Sequence, residues 1–125
     1  MAAHARRIVV GFDGSEPALR ALEAAAELVG YGSTLAVVVV AEERPADARR
    51  ALGEARERLL RRQVAATYVQ RVGDPARELV EAARELEADL VVVGASTGAL
   101  PGSSVPGSVG GEVVRTAPCD VLVVR

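Results

Sequence analysis

The chain contains no lysine and no tryptophan, and its only aromatic side chains are Phe12, Tyr31 and Tyr68. All fifteen basic residues are arginines, and they are interspersed with acidic residues, which leaves a formal net charge of -2. Nucleic-acid-binding proteins usually gather basic residues into a patch and offer aromatic platforms for base stacking. The composition therefore argues against nucleic acid as a partner.

Cysteine and long apolar runs are also scarce. The single cysteine, Cys119, cannot form an intramolecular disulfide, and its place just before an apolar run predicts a small core side chain. No apolar run approaches the roughly 20 residues of a membrane-spanning helix, and the first residues lack the apolar segment of a signal peptide. We therefore expect a cytoplasmic protein with no membrane partner.

Half of the 125 residues are hydrophobic, which suffices for one core and predicts a single domain spanning residues 1–125. Short apolar runs rich in β-branched residues predict four strands, at residues 8–12, 35–40, 90–93 and 121–124. These runs are apolar on both faces, as is typical of parallel strands that helices cover on two sides. A fifth run, residues 65–72, alternates more and is predicted at an edge.

Segments of helical periodicity separate the strands, at residues 17–29, 46–63, 74–86 and about 108–115, and Ser15 is the expected N-cap of the first. With right-handed crossovers, this order predicts an α/β fold: an open, doubly wound, Rossmann-like parallel sheet of five strands in the order 3-2-1-4-5. Ligands bind such sheets beyond the carboxyl ends of the strands, where the winding reverses, here between strands 1 and 4.

The stretch from Gly94 to Ser108, GASTGALPGSSVPGS, is the most distinctive part of the sequence. It is too poor in apolar side chains to pack a core and too rich in glycine and proline to continue a strand or helix. Gly107, Ser108 and Val109 lead into the last predicted helix, whose free N–H groups and positive dipole end favour an anion. It is not a standard P-loop, because it lacks the lysine that reaches the phosphates.

Asp13 places a carboxylate just beyond the first predicted strand, in the sequence GFDGS. It has two interpretations, which the sequence leaves open. The carboxylate either contacts a ligand, as an acceptor for a ribose hydroxyl or adenine amine or as a ligand of Mg²⁺ beside phosphates, or stabilises the turn by accepting local N–H groups.

Three stretches resemble the universal stress protein family: IVVGFDGSEPALRALEAA at residues 8–25, ADLVVVG at 88–94, and GSVGGEVVRTAPCDVLVV at 107–124. The resemblance covers nearly the whole chain. It implies the Rossmann-like fold that is also called adenine nucleotide alpha hydrolase-like. It further implies a homodimer that pairs through the edge strand from Val121 to Val124.

Members of this family that bind ATP carry G-x-x-G, nine further residues and then G-S or G-T. Gly94 and the pair Gly107-Ser108 stand at the matching separation, whereas the middle glycine is replaced by Thr97 and Gly98 follows one residue later. The resemblance implies that Asp13 contacts the ribose or adenine and that Val39 and Val40 line the adenine pocket. The residues implied to wrap the ribose and phosphates are Gly94, Gly107, Ser108 and Val109, and a shift by one residue would let Gly98 replace the missing glycine.

Three functions are compatible with these residues. One is a stress-response protein that binds ATP, with Mg²⁺ near Asp13, as a sensor or switch. The alternative is a family member that binds no nucleotide and serves as a dimeric interaction module. An enzymatic role, at most that of a slow ATPase, would require positioned cations that the loop lacks, and no catalytic residue is assigned.

Overall fold

A computed structural model describes residues 6–30, 32–95 and 109–125. Within these ranges, five strands form one sheet and four helices pack against it. The strands are β1 (Arg7–Gly11), β2 (Thr34–Ala41), β3 (Thr67–Val72), β4 (Leu90–Gly94) and β5 (Asp120–Val124). The helices are α1 (Glu16–Leu28), α2 (Pro45–Arg61), α3 (Pro75–Glu85) and α4 (Val109–Thr116).

The sheet is parallel throughout and has the strand order β3-β2-β1-β4-β5, which confirms the predicted topology. Val10 on the central strand lies beside Val37 of β2 and Val92 of β4. The chain first adds β2 and β3 on one side of β1, and then β4 and β5 on the other. Helix α1, which follows β1, and helix α4, which comes after β4, pack on opposite faces of the sheet, and a crevice opens above the carboxyl ends of these two strands.

Two hydrophobic cores lie on opposite faces of the sheet. Ile8 and Val10 of β1 belong to the core beneath α1 and α2, whereas Val9 between them belongs to the core beneath α3 and α4. Successive side chains of a strand point to opposite faces, so a strand covered on both sides must be apolar at every position. No buried side chain in the described ranges is polar or charged.

The helix ends follow from local chemistry. The Ser15 hydroxyl accepts the backbone N–H of Ala18 at 3.3 Å, which confirms the predicted N-cap of α1. Asp74 caps α3 in the same way, by accepting the N–H of Arg77 at 3.0 Å. Helix α2 ends at Arg61, two residues earlier than predicted, because the backbone reaches a left-handed conformation at Gln63 (φ 58°).

Cys119 is half-buried against the core beneath α3 and α4, as predicted for a small core side chain. Burial raises the pKa of its thiol, and the nearby carboxylates of Asp120 and Asp89 raise it further. The thiol therefore stays protonated at neutral pH, which disfavours nucleophilic chemistry at this position. Among the helices of the described ranges, none is long and apolar enough to cross a membrane.

Substitutions of two adjacent leucines in α2 test which face of that helix packs against the sheet. Leu59 is fully buried, while Leu60 is 65% exposed. Leu59→Ala is expected to lower the free energy of unfolding by about 2–5 kcal/mol, because it removes buried methyl groups and leaves a cavity. Leu60→Ala, the matched control, is expected to change it by less than about 0.5 kcal/mol. Urea denaturation followed by circular dichroism measures both; equal losses would contradict this packing.

Candidate functional site

A cleft of about 410 Å³ opens at the carboxyl ends of β1, β2 and β4, with the first turns of α1, α3 and α4 around it. It occupies the switch point between β1 and β4 where the sequence predicted a ligand site. Its volume lies within the range of about 300–1,000 Å³ that is usual for small-molecule sites. The cleft is therefore the candidate site among the described residues.

The wall of the cleft is mainly apolar. Its apolar side chains come from the ends of the strands and from α3, namely Phe12, Val38, Val40, Leu79 and Val93. Phe12 is anchored just beyond β1, where its N–H donates to the carbonyl of Val38 at 3.0 Å. Apolar surface with a few polar groups at its edge suits a flat heterocycle that carries a polar tail.

Val39 and Val40, which the family resemblance implies in the adenine pocket, have side chains on opposite faces of β2. Val40 lines the cleft together with Val38, whereas Val39 points to the other face and is 2% exposed in the core beneath α1 and α2. The expectation that Val39 and Val40 share one pocket therefore needs correction in favour of Val38 and Val40. The reason is the period of two along a β-strand.

Asp13 lies in the cleft lining, and its side chain is exposed. Its Oδ1 accepts the backbone N–H of Ser15 at 2.9 Å, an Asx turn that shapes the connection from β1 to α1. The turn-stabilising role is thus present. Contact with a ribose hydroxyl or with Mg²⁺ stays a prediction, to which the position of the carboxylate in the lining is favourable.

Gly94 ends β4 at the bottom of the cleft, against the first turn of α1. A Cβ at this position would lie 2.4 Å from both the carbonyl carbon and oxygen of Pro17 and 2.8 Å from its Cβ. Such contacts cannot be relieved by rotating a side chain, because two of the atoms belong to the backbone. Packing against α1 therefore requires glycine here, whether or not a ligand is bound.

The remaining predicted site residues divide between the beginning of α4 and the segment before it. Val109 begins α4 and lines the cleft together with the next residue, Gly110. Gly98, Gly107 and Ser108 lie outside the described residues.

Sequence reasoning missed Glu42, which lies just past β2 and lines the cleft. The signal was available, because residues 38, 40 and 42 fall on one face of an extended strand. It also missed Pro75 and Leu79, from the beginning of α3. Those two residues had been assigned to a helix, and only the packing of that helix over the sheet brings them to the cleft.

Metal ligands are few in the cleft. Asp13 and Glu42 supply carboxylate oxygens, the donor type that Mg²⁺ prefers. Across the described ranges, no group of three or more His, Cys, Asp or Glu residues is placed to hold a metal ion. These side chains fit a Mg²⁺ ion that phosphates and water also coordinate, but not a site built from protein ligands alone.

Comparison with known proteins identifies the family. The sequence model of the universal stress protein family matches residues 4–125. The chain belongs to the universal stress protein family. It is 34% identical over 135 aligned positions to a universal stress protein of Thermus aquaticus, covering 96% of this chain and 98% of the relative. It is 32% identical to one from Mycobacterium tuberculosis over 142 positions, which cover 96% of each protein.

Solved structures of other universal stress proteins share the fold. One that was crystallised in complex with cAMP superposes with a TM-score of 0.79 at 25% identity, covering 96% of this chain and 97% of its own. An Arabidopsis thaliana member with AMP bound gives a TM-score of 0.72 at 17% identity, covering 95% and 90%. The second likeness concerns the fold alone. The expected family and the expected Rossmann-like fold are both confirmed.

Two glycine substitutions separate a packing requirement from simple helix propensity. Gly94→Ala is expected to lower the free energy of unfolding by about 1–3 kcal/mol, because the added methyl overlaps the backbone of Pro17. Gly53, in the interior of α2, has nothing within 4 Å of an added Cβ. Gly53→Ala is therefore expected to stabilise the protein by about 0.5–1 kcal/mol. Urea denaturation checks both, and a neutral Gly94→Ala would contradict the close contact.

Proposed function

We propose that this chain, as a single domain, is a small cytoplasmic stress-response protein that binds an adenine nucleotide in the cleft. The observation that carries the proposal is the cleft itself, an apolar wall with a carboxylate at its edge, at the switch point of a parallel sheet. The relative solved with cAMP and the fold neighbour solved with AMP support an adenine ligand.

In this proposal the adenine packs against Val38 and Val40, at the end of β2. Both side chains line the cleft, and Leu79 faces it from α3. Asp13 lies at the end of the neighbouring strand, where its carboxylate accepts a hydrogen bond from a ribose hydroxyl. The Asx turn uses Oδ1, so an added bond would go to Oδ2 or be shared.

The phosphates are proposed to lie near Gly94 and the beginning of α4. Val109 and Gly110 line the cleft there, and the N-terminus of a helix presents backbone N–H groups and a partial positive charge. The sequence spacing of Gly94, Gly107 and Ser108 supports ATP as one ligand of the site. ATP would enter as its Mg²⁺ complex, with Asp13 as a candidate contact to the ion or its water shell.

Binding alone is sufficient for a sensor. A nucleotide that binds one conformation of the protein more tightly than another shifts their populations by the ratio of the two affinities. The proposal therefore needs no catalytic residue.

Filling the adenine end of the cleft tests the proposal. Val40→Phe is expected to weaken binding of an adenine nucleotide by about tenfold or more, because the larger ring occupies the space of the base. Val72→Phe is the control, since Val72 ends the neighbouring strand β3, is 46% exposed and is not part of the cleft lining. Calorimetric titration with AMP and with Mg-ATP gives the affinities.

Two results would contradict nucleotide binding in this cleft. The first is that the unmodified protein binds neither nucleotide and carries none after purification, as judged by chromatography of the denatured sample. The second is that Val40→Phe and Val72→Phe leave the affinity equally unchanged while both variants melt like the parent.

A second function, dimerisation through β5, is favoured by exposed apolar side chains on both faces of that edge strand. Leu122 and Val123 are 38% and 39% exposed, and β5 is an edge strand that pairs only with β4 among the described strands. Apolar edge strands readily pair with another chain. We therefore propose a homodimer that joins through residues 121–124, as the family resemblance implies.

The oligomeric state tests this contact directly. The protein is expected to sediment as a dimer, and Val123→Lys is expected to convert it to a monomer by placing a charge in the interface. Leu28→Lys, on the exposed side of α1, is the control and should remain dimeric. Sedimentation velocity separates the two species. A monomeric parent protein, or a dimeric Val123→Lys variant, would rule out this contact.

A further inference from the structure

The described residues that line the cleft carry a net negative charge. Asp13 and Glu42 contribute the two carboxylates of the lining, and no basic side chain lines the cleft within residues 6–30, 32–95 and 109–125. Glu42 is exposed and forms no ion pair with a described residue. Neither carboxylate is therefore neutralised by an arginine.

Arginines are abundant in the chain, but none of them is among the described residues that line the cleft. Arg71, near the carboxyl end of β3, pairs with Glu78 at 3.4 Å and also with Glu85, both on α3. The sequence from Ala95 to Val109, which leads into α4, contains no arginine, lysine or histidine. Among the described residues of the cleft lining, the positive charge is limited to the partial charge at the N-terminus of α4, equivalent to about half an elementary charge.

The two carboxylates repel a ligand with three phosphates more strongly than a ligand with one. Each added phosphate charge is repelled by the two carboxylates, and the repulsion is strongest at the short distances inside a cleft. A divalent cation bound to the phosphates cancels two of their negative charges and itself attracts the carboxylates, so the net repulsion falls to about that of a single phosphate. An uncharged adenosine experiences neither effect.

We propose that Glu42, together with Asp13, makes the cleft selective by charge, so that it accepts adenine ligands with at most one phosphate and polyphosphates only as complexes with a divalent cation. This inference rests on the proposed nucleotide site and adds the class of ligand that it selects. Glu42 is the residue to change in a test, since Asp13 also maintains the turn before α1.

The test compares four ligands on three proteins. Calorimetric titrations use adenosine, AMP, ATP with EDTA, and ATP with excess Mg²⁺, on the parent protein, Glu42→Gln and Glu43→Gln. Glu43 is the matched control, because it is the exposed neighbour of Glu42 and is not in the cleft lining. Melting temperatures without ligand confirm that all three proteins are folded.

For the parent protein, metal-free ATP is expected to bind about tenfold or more weakly than AMP, and Mg²⁺ is expected to restore the affinity. Glu42→Gln should leave adenosine unchanged and tighten the binding of metal-free ATP by only about threefold, because Glu42 is exposed and follows β2, which β1 separates from the β4 end of the cleft. Glu43→Gln should alter neither. Salt should diminish the difference between AMP and metal-free ATP, because it screens exposed charges.

Two kinds of failure are distinguishable. If AMP and metal-free ATP bind equally well, or if Glu42→Gln and Glu43→Gln behave alike, selection by charge is wrong while nucleotide binding stands. If none of the four ligands binds any of the proteins, the proposed nucleotide site is wrong, and the selectivity is overturned with it.

Discussion

The fold depends on the burial of its central strands on both faces. Val9 and Val10 of β1 are adjacent in sequence and fully buried in different cores, one beneath each pair of helices. Such a strand has no solvent-exposed side, so every side chain must be apolar and every backbone group must pair with a neighbouring strand. Polar chemistry is therefore confined to the strand ends, where the chain leaves the sheet, and the candidate site is located there.

The reversal of winding decides which strand ends are available. Helices α1 and α4, which come after β1 and β4, pack on opposite faces of the sheet, and the crevice at the ends of these two strands contains both Asp13 and Gly94. Helix α3 covers the other side of this opening, with Leu79 facing inward. The position of the cleft is thus a property of the topology, whereas its chemistry depends on the few residues that follow each strand.

The order of the elements, the parallel sheet and the edge position of β3 were predictable. The hydrophobic periodicity, the turn residues and the handedness of the crossover connections all indicate the same topology. The site was predictable only in part. Asp13, Val40, Gly94 and Val109 were assigned to it by the family resemblance, and the structure brings them to one cleft. The side chain of Val39 faces the core instead, because successive residues of a strand point to opposite faces. Leu79 lacked a sequence signal, because a helix reaches the cleft only through tertiary packing.

The contact between Gly94 and Pro17 changes how the family motif should be interpreted. A glycine in this position is usually counted as the first mark of a nucleotide-binding loop, yet here α1 leaves no room for any side chain. A relative with the same helix packing would keep this glycine even after losing its ligand. The first glycine therefore reports on how α1 packs against the sheet, and its presence alone is not evidence of a bound ligand.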